Sequence, residues 1–344
     1  MSSQPTENGD ALINHRMPSV ILCGYERGGT TLLSQIFREN GYVGGFEVGA
    51  LMCETPAHFL SYKPYIDMLR PGWKLGNRIE MKDLCSGSFE DFYHKLVSTA
   101  FPKAIKKKAF DKTPIYMRKL GTVLHRAPFV KKAVVITRDP RAVFTSWARR
   151  ACPEGAPVSR VEREVQNRMK QYAERYLDYF YGAIAHEHNP RVLFIAFEQL
   201  CLSQSNSLKQ LGIFCRGRPF RLKELNHKFK NIQGKSISIK NVLEFEGYLS
   251  NETQAAILEL THEAAAFFCD TSLQIRYGDR WRELNSAVDE ILDREALNEL
   301  SYQIDGVYLE PRTYLLRNRD VLQSGMSPVS HFKQYGLAEG RSGA

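Results

Sequence analysis

The chain has 344 residues, of which 43% are hydrophobic and 25% charged, so it can bury a sizeable core and does not have the composition of a disordered protein. Its 47 basic and 38 acidic residues give a net charge of +9, which favours anionic ligands. No nucleic-acid-binding motif accompanies this charge, so we expect no nucleic-acid partner. The seven cysteines are scattered without the spacing of a zinc site, and we expect no metal.

Residues 1–17 are polar and are predicted to form a mobile tail. The tail has no apolar segment like that of a signal peptide, and no part of the sequence approaches the length and apolarity of a membrane span. We therefore expect a soluble, cytoplasmic protein, and the sequence leaves its oligomeric state open.

The first predicted element is a short buried strand, since residues 20–23 form an uninterrupted apolar run. A turn with three glycines follows, and Thr30 and Thr31 then begin a helix. Strand, Gly-rich loop and helix can together cradle a phosphate. Glycines let the backbone curl closely, and the first N–H groups of the helix point at the anion.

The glycine spacing of this loop resembles that of P-loop nucleotide-binding proteins, with four residues between Gly24 and Gly29. In that motif a lysine follows the last glycine and reaches the β- and γ-phosphates, but here Thr30 occupies the position. The positive charge lies inside the loop instead, at Arg27. The sequence therefore favours a ligand with a single 5′-phosphate, and a P-loop kinase or a non-catalytic nucleotide-binding protein are the alternatives.

Three later apolar runs predict strands at residues 109–110, 133–137 and 191–197, with helical segments between them. The longest of these helices is predicted at residues 159–185. Because the strand runs are continuously apolar rather than alternating, they indicate a parallel sheet covered by helices on both faces, an α/β fold of the P-loop type. Near residue 283 the chain changes to acidic helical sequence, which predicts a small helical C-terminal module.

A second candidate anion site follows the strand at residues 133–137. Arg138 comes at the strand end, and Pro140 favours the start of a helix. Ser146 lies about two helical turns after Arg138, and Arg150 lies one further turn along the same face. Two arginines and a hydroxyl can clamp a divalent anion. If this segment is considered alone, however, a simpler interpretation is that Arg138 is an arginine at a helix start that pairs with Asp139 and binds no ligand.

Together the two segments resemble the cofactor motifs of the sulfotransferases, which use 3′-phosphoadenosine 5′-phosphosulfate (PAPS). The motifs here are Arg27-Gly28-Gly29-Thr30-Thr31-Leu32 and Arg138-Asp139-Pro140-Arg141-Ala142-Val143 with Ser146. The resemblance implies that residues 27–32 bind the 5′-phosphosulfate and that Arg138 and Ser146, with Arg150, bind the 3′-phosphate. The chain departs from the family at Gly28, where serine is common, so only a backbone N–H remains there for a phosphate contact.

Sulfuryl transfer also needs a general base for the acceptor hydroxyl and cations for the leaving phosphate. Glu47, in a glycine-rich loop that we expect to be too flexible for the core, resembles the catalytic glutamate of tyrosylprotein sulfotransferases. Glu54 and His58 stay open as alternative bases. The resemblance gives Arg27 a role in stabilising the leaving group, and Lys112, in a Lys-x-Pro segment, a contact with the leaving group or the acceptor.

Two later segments also resemble family motifs. Phe197 stands where the family has the tyrosine of a Tyr-Glu-x-Leu segment near the nucleotide, and Lys240 falls where a late loop closes on the 3′-phosphate. The resemblance covers the chain from residue 18 to about residue 282. It predicts a mobile tail at 1–17, a sulfotransferase domain at 18–282 and a helical module at 283–344, which is similar to modules of bacterial glycan-related proteins.

The sequence thus predicts a PAPS-dependent sulfotransferase whose acceptor is a hydroxyl on a carbohydrate or a small metabolite. A protein tyrosine is the alternative acceptor, because Glu47 and Arg150 are similar to residues of that subfamily. An amine acceptor is a further possibility that the sequence leaves open.

Overall fold

The computed structural model describes residues 17–104, 106–221 and 242–344. Residues 1–16 of the predicted tail and the candidate Lys240 lie outside these ranges. Met17, at the predicted end of the tail, is only 8% exposed and belongs to the hydrophobic core.

A parallel sheet of four strands forms the centre of the fold, in the order β2-β1-β3-β4. The strands are β1 (Pro18–Gly24), β2 (Ala109–Lys112), β3 (Lys132–Thr137) and β4 (Val192–Ala196). All four were predicted from their apolar runs. Because the strands are parallel, their carboxyl ends meet at one edge of the sheet, which is where open α/β folds bind ligands.

Side chains of each central strand point alternately to two separate cores, one on each face of the sheet. In β1, Val20 and Leu22 pack into one core while Ile21 and Cys23 pack into the other. The predicted α/β fold with helices on both faces is therefore confirmed.

Fourteen α-helices lie within the described residues. They are α1 (Thr30–Glu39), α2 (Tyr65–Gly72), α3 (Met81–Leu84), α4 (Phe89–Ala100), α5 (Leu120–Arg126), α6 (Pro140–Ala151), α7 (Val158–Ile184), α8 (Phe197–Leu202), α9 (Gln204–Arg216), α10 (Asn251–Leu260), α11 (Thr271–Arg294), α12 (Pro311–Arg317), α13 (Arg319–Ser324) and α14 (Pro328–His331). None of these helices is both long and apolar enough to cross a membrane.

Local sequence signals fix several of these helix ends. Ser250, the predicted cap of α10, accepts a hydrogen bond on its hydroxyl from the Thr253 N–H at 3.3 Å. The long helix predicted at residues 159–185 is α7. Phe197, by contrast, begins a helix rather than ending a strand, because β4 stops one residue earlier.

The C-terminal residues pack on the rest of the fold. They contain the predicted helices and, in addition, an antiparallel hairpin that the sequence analysis did not predict, β5 (Tyr302–Ile304) and β6 (Val307–Leu309). The fully buried Tyr314 and Leu315 belong to the same core as Ile21 and Cys23 of β1. The boundary predicted between residues 282 and 283 falls inside helix α11, and the division of the chain into domains stays a prediction.

Candidate active site

The loop between β1 and α1 has the tight curl that the glycines predicted. The Gly28 N–H donates a hydrogen bond to the Tyr25 carbonyl oxygen at 2.8 Å, which closes the turn. Arg27 (φ 67°) and Gly29 (φ 101°) both have left-handed backbone conformations. For a residue with a Cβ such as Arg27 this conformation costs free energy, so surrounding contacts must hold it.

The Gly28 amide takes part in the turn, and its contact with a phosphate stays a prediction. A Cβ added at Gly28 would lie 2.8 Å from the Tyr25 carbonyl oxygen. The tightness of the turn therefore favours glycine here over the serine common in the resembling family.

The amino end of helix α1 forms the open side of the loop. Gly29 is the N-cap residue, and having no side chain it cannot satisfy the first helical amides, which become available to an anion. Thr31 is exposed, whereas Thr30 is 5% exposed and Leu32 packs into a core. Leu32 can therefore contact an anion only through its N–H group.

Gly29 combines a left-handed backbone conformation with close packing against the Phe197 ring. A Cβ there would lie 2.5 Å from Cδ2 of the Phe197 ring, in a backbone conformation that L-residues rarely adopt. We expect Gly29→Ala to lower the thermal midpoint and to weaken binding of adenosine 3′,5′-bisphosphate (PAP), because the loop or the ring must move. Calorimetric binding and thermal unfolding measure both effects.

Gly41→Ala is the matched control for this substitution. Gly41 also has a positive φ, of 88°, but nothing lies within 4 Å of its added Cβ. Gly41→Ala should lower the free energy of unfolding by about 1 kcal/mol, from backbone strain alone, and leave PAP binding unchanged. Equal effects of the two substitutions on binding would contradict a close fit between Gly29 and Phe197.

The two anion-binding segments predicted from the sequence meet at Arg27. The Arg27 Nε–H donates to the Ser146 hydroxyl at 3.1 Å, and Arg138 Nη1–H donates to the Arg27 carbonyl oxygen at 2.8 Å. Arg138 comes directly after β3 and is 8% exposed, while Ser146 lies on α6. These two hydrogen bonds hold Arg27 in its left-handed conformation and join residues more than a hundred positions apart.

Further arginines add positive charge at the same place. Partial burial lowers the pKa of Arg27, and the nearby charges of Arg150 and Arg149 lower it further. Arg149 is ion-paired with Glu244, and Arg150 is exposed on the same helix. The positive charges repel one another in this arrangement, so a polyvalent anion bound among them would relieve an unfavourable interaction.

Phe197 supports both segments rather than extending into solvent. The Arg138 guanidinium lies over its ring at 4.4 Å from the centroid, and the ring also covers Gly29. Phe197 therefore packs against residues of both segments, and its predicted contact with a nucleotide stays a prediction.

Glu198 is a buried residue of the site that sequence reasoning missed. It is 4% exposed, and its Oε1 accepts a hydrogen bond from the Asp139 N–H at 2.9 Å, which fixes the start of α6 next to Arg138. Asp139 caps that helix and pairs with Arg141. Among the described residues, Glu198 Oε2 has no hydrogen-bond partner. The sequence signal that could have identified Glu198 as a site residue is the likeness of residues 197–200 to a Tyr-Glu-x-Leu segment.

Buried carboxyl groups make the stability of this protein depend on pH. Burial raises the pKa of Glu198 from its ordinary 4.5 to about 7, and that of Asp111 from 3.8 to about 6. Between the ordinary and the raised values the folded state binds more protons than the unfolded state, so its stability falls as pH rises. We therefore expect the thermal midpoint to rise when pH is lowered from 8 to 5, measured by scanning calorimetry.

Glu198→Gln provides the control for this pH dependence. The glutamine retains an acceptor for the Asp139 N–H but cannot ionise, so part of the dependence between pH 5 and 8 should disappear. The carboxyl groups with lowered pKa titrate below pH 4.5 and leave this range unaffected; they are Asp91, Glu162, Glu259, Asp270 and Asp320. If the thermal midpoint of the variant depends on pH as strongly as that of the wild type, Glu198 is not one of the groups responsible.

Glu47 and Lys112, predicted separately, form an ion pair in the structure. Lys112 Nζ lies 2.9 Å from Glu47 Oε1, and the two side chains are 4% and 19% exposed. The ammonium group also lies over the Phe46 ring, 4.6 Å from its centroid. Lys112 ends β2, the strand beside β1, so this pair lies at the same edge of the sheet as the phosphate loop.

The loop that carries Glu47 is held firmly, contrary to the expectation of a flexible segment. Val48 is completely buried, and the Trp73 indole N–H donates to the Phe46 carbonyl oxygen at 2.8 Å. Arg38 donates to the carbonyl oxygens of Gly44 and Gly45. The glycines here permit close packing rather than mobility, since a Cβ at Gly45 would collide with the Trp73 ring.

The alternative bases are placed differently. Glu54 and His58 lie 3.7 Å apart on the surface, and their side chains are 77% and 62% exposed. The geometry thus favours Glu47, which is the only one of the three that pairs with a residue at the sheet edge.

Glu26, inside the phosphate loop, is a further residue that sequence reasoning missed. Its carboxylate pairs with Arg175 and accepts a hydrogen bond from the Tyr179 hydroxyl at 3.1 Å. The Trp147 indole N–H donates to its carbonyl oxygen at 3.2 Å. Glu26 therefore anchors the loop to helices α6 and α7. Over residues 17–104, 106–221 and 242–344, no group of histidine, cysteine or carboxylate side chains could hold a metal ion.

The matches to known proteins agree with this site. A model described as "Sulfotransferase family" matches residues 18–220, which is more than half of the chain and contains both predicted anion-binding segments. The chain therefore belongs to the sulfotransferase family, and its site is a candidate active site of a sulfuryl-transferring enzyme. No curated protein sequence matches the chain significantly.

Several solved structures are similar to the fold. The sulfotransferase domain from the Synechococcus PCC 7002 olefin synthase has 16% identity and a TM-score of 0.51, and the match covers 78% of this chain and 100% of that chain. The sulfotransferase domain from the curacin biosynthetic pathway has 16% identity, coverage of 71% and 98%, and a TM-score of 0.45. Retinol dehydratase in a complex with retinol and PAP has 13% identity, coverage of 74% and 83%, and a TM-score of 0.39. At these identities, the first match supports the fold alone.

Proposed function

We propose that this protein transfers a sulfuryl group from PAPS to an acceptor hydroxyl. The observation that carries the proposal is the meeting of the two anion-binding segments at Arg27, where Arg138 and Ser146 both contact the phosphate loop. PAPS has an anionic group at each side of its ribose, and two adjoining cationic segments match that charge distribution.

The donors of the site fit such a ligand. The amino end of α1 and the exposed Thr31 hydroxyl suit the 5′-phosphosulfate, since free helical amides bind anions. Arg138, Ser146 and the exposed Arg150 suit the 3′-phosphate. PAP is what remains of PAPS after the transfer and has no sulfuryl group to lose, so it is a suitable ligand for binding experiments.

In the proposed reaction the acceptor oxygen forms a bond to sulfur while the bond from sulfur to the bridging phosphate oxygen breaks. Glu47 takes the acceptor proton, and the electron pair of the broken bond goes to the 5′-phosphate of PAP. Lys112 holds Glu47 Oε1, so Oε2 is the oxygen left for the acceptor hydroxyl. Arg27 and Lys112 stabilise the charge that grows on the leaving phosphate.

The choice between a sulfotransferase and a nucleotide kinase is tested by calorimetry with PAP and with ATP–Mg²⁺. We expect PAP to bind and ATP to bind weakly, because no lysine follows Gly29 to reach a γ-phosphate. Tight binding of ATP without binding of PAP would overturn the proposal in favour of a kinase.

The acceptor class is tested with labelled PAPS and a panel of sugars, small alcohols, phenols and tyrosine-containing peptides. We expect transfer to a carbohydrate or small-metabolite hydroxyl, and a peptide-only result would instead support the protein-tyrosine alternative. PAP binding without transfer to any member would favour the non-catalytic nucleotide-binding protein.

A further inference from the structure

Asp111 is a buried carboxylate that directly precedes Lys112, the partner of the candidate base Glu47. Asp111 is completely buried and accepts hydrogen bonds from three hydroxyl groups. The Tyr93 and Tyr116 hydroxyls reach its Oδ2 at 2.5 and 3.0 Å, and the Thr113 hydroxyl reaches its Oδ1 at 2.8 Å. A buried charge with this many donors needs a reason, since burying it is costly.

The three hydroxyls are oriented by the carboxylate. An ionised carboxylate only accepts hydrogen bonds, so each hydroxyl proton points at Asp111 and each hydroxyl oxygen is left as an acceptor on its other side. Burial raises the pKa of Asp111 only to about 6, so the group is ionised at pH 7.5. The direction of the hydrogen bonds is therefore fixed at ordinary pH.

Two of these oriented oxygens bind the backbone of the loop that carries Glu47. Thr113 Oγ1 accepts from the N–H groups of Val48 at 2.9 Å and Gly49 at 3.3 Å. The Tyr116 hydroxyl oxygen accepts from the Leu51 N–H at 3.3 Å. Three amides within four residues after Glu47 are thus held by hydroxyls whose direction Asp111 sets.

The end of strand β2 therefore fixes Glu47 in two ways. Lys112 holds the carboxylate itself, and its neighbours in sequence, Asp111 and Thr113, hold the backbone next to it. The Thr113 N–H in turn donates to the Leu22 carbonyl oxygen of β1 at 3.0 Å, which ties this arrangement to the strand that leads into the phosphate loop.

We propose that Asp111 and Thr113 are positioning residues, which set the distance between the base Glu47 and the phosphate loop by orienting the backbone of residues 48–51. This inference rests on the proposed function. A hydroxyl network that acted only in packing would affect stability alone, whereas a positioning network affects the local opening of this loop and the rate of the chemical step.

The test compares Thr113→Val with Thr113→Ser in the full chain, by hydrogen exchange of the peptide that contains residues 47–51. Valine matches threonine in shape but has no hydroxyl, so we expect the Val48 and Gly49 amides to exchange about tenfold faster. Serine retains the hydroxyl and should restore the wild-type exchange. Tyr116→Phe is a second variant, which should speed exchange at Leu51.

The functional readout is transfer from labelled PAPS to the best acceptor of the panel, together with calorimetric binding of PAP. We expect Thr113→Val to lower kcat at least about tenfold with PAP affinity unchanged, because only the base is displaced. Thr113→Ser should recover kcat.

Two results would overturn the inference: wild-type exchange and kcat in both Thr113→Val and Tyr116→Phe, or equal losses in Thr113→Val and Thr113→Ser. Failure of the proposed function has a different signature, since the wild-type protein would then bind no PAP or would transfer no sulfuryl group to any acceptor of the panel. The exchange measurements would still decide whether the hydroxyls hold the loop.

Discussion

Replacing Glu47 by glutamine should reduce sulfuryl transfer by about 10²- to 10⁴-fold, the usual contribution of a general base. Glutamine has the same shape and can still accept a hydrogen bond from Lys112, but it cannot take a proton from the acceptor. The side chain pairs with Lys112 at the end of β2, whereas Arg138 follows β3, so PAP affinity should be unchanged. Steady-state transfer and calorimetry with PAP measure the two quantities.

Glu54→Gln and His58→Gln are the controls for this prediction. Both positions are exposed and pair with each other, so each substitution should leave transfer at the wild-type rate. Wild-type turnover in Glu47→Gln would remove Glu47 from the mechanism, and a large loss in either control would transfer the role of base to that residue. A loss of PAP binding in Glu47→Gln would show that the effect is not on proton transfer.

The sheet and the phosphate loop could be predicted from the sequence because their signals are local. Each strand contains an unbroken apolar run, although in β2 this run is only Ala109 and Phe110, and the glycines between Gly24 and Thr31 indicate the tight turn of the loop. The helix that starts at Pro140 was predictable for the same reason, since Asp139 and the proline act within two residues of the helix end.

The arrangement of the candidate site depends on distant contacts that a local pattern does not encode. Lys112 and Glu47 are 65 residues apart and meet because β2 pairs with β1 and the loop folds back over the strand end. The same packing makes the loop around Glu47 rigid, although its glycine content predicted flexibility. The use of the Gly28 amide within the turn likewise depends on the folded backbone and has no signature in the sequence.

Arg138→Ala should weaken PAP binding by about 10- to 150-fold, which corresponds to the 1.5–3 kcal/mol of hydrogen bonding to a charged group. The wild-type guanidinium is 8% exposed, lies over the Phe197 ring and donates to the Arg27 carbonyl oxygen. Its removal takes away a charge opposite the predicted 3′-phosphate and one of the contacts that hold Arg27 in its left-handed conformation. Arg138→Lys retains the charge without the planar fork, so its effect should be intermediate.

A second ligand separates these two effects. Adenosine 5′-monophosphate lacks the 3′-phosphate, so a direct contact predicts that Arg138→Ala weakens PAP and leaves the monophosphate nearly unaffected. Equal weakening of both ligands would mean that Arg138 acts only by holding the loop through Arg27, and unchanged PAP affinity would reject the 3′-phosphate role. Arg168→Ala removes the same charge from an exposed arginine of α7, which pairs with the partly buried Glu164, and should leave both affinities at their wild-type values. Because that control matches the change in net charge, any difference between the two variants comes from the position of Arg138 beside the phosphate loop.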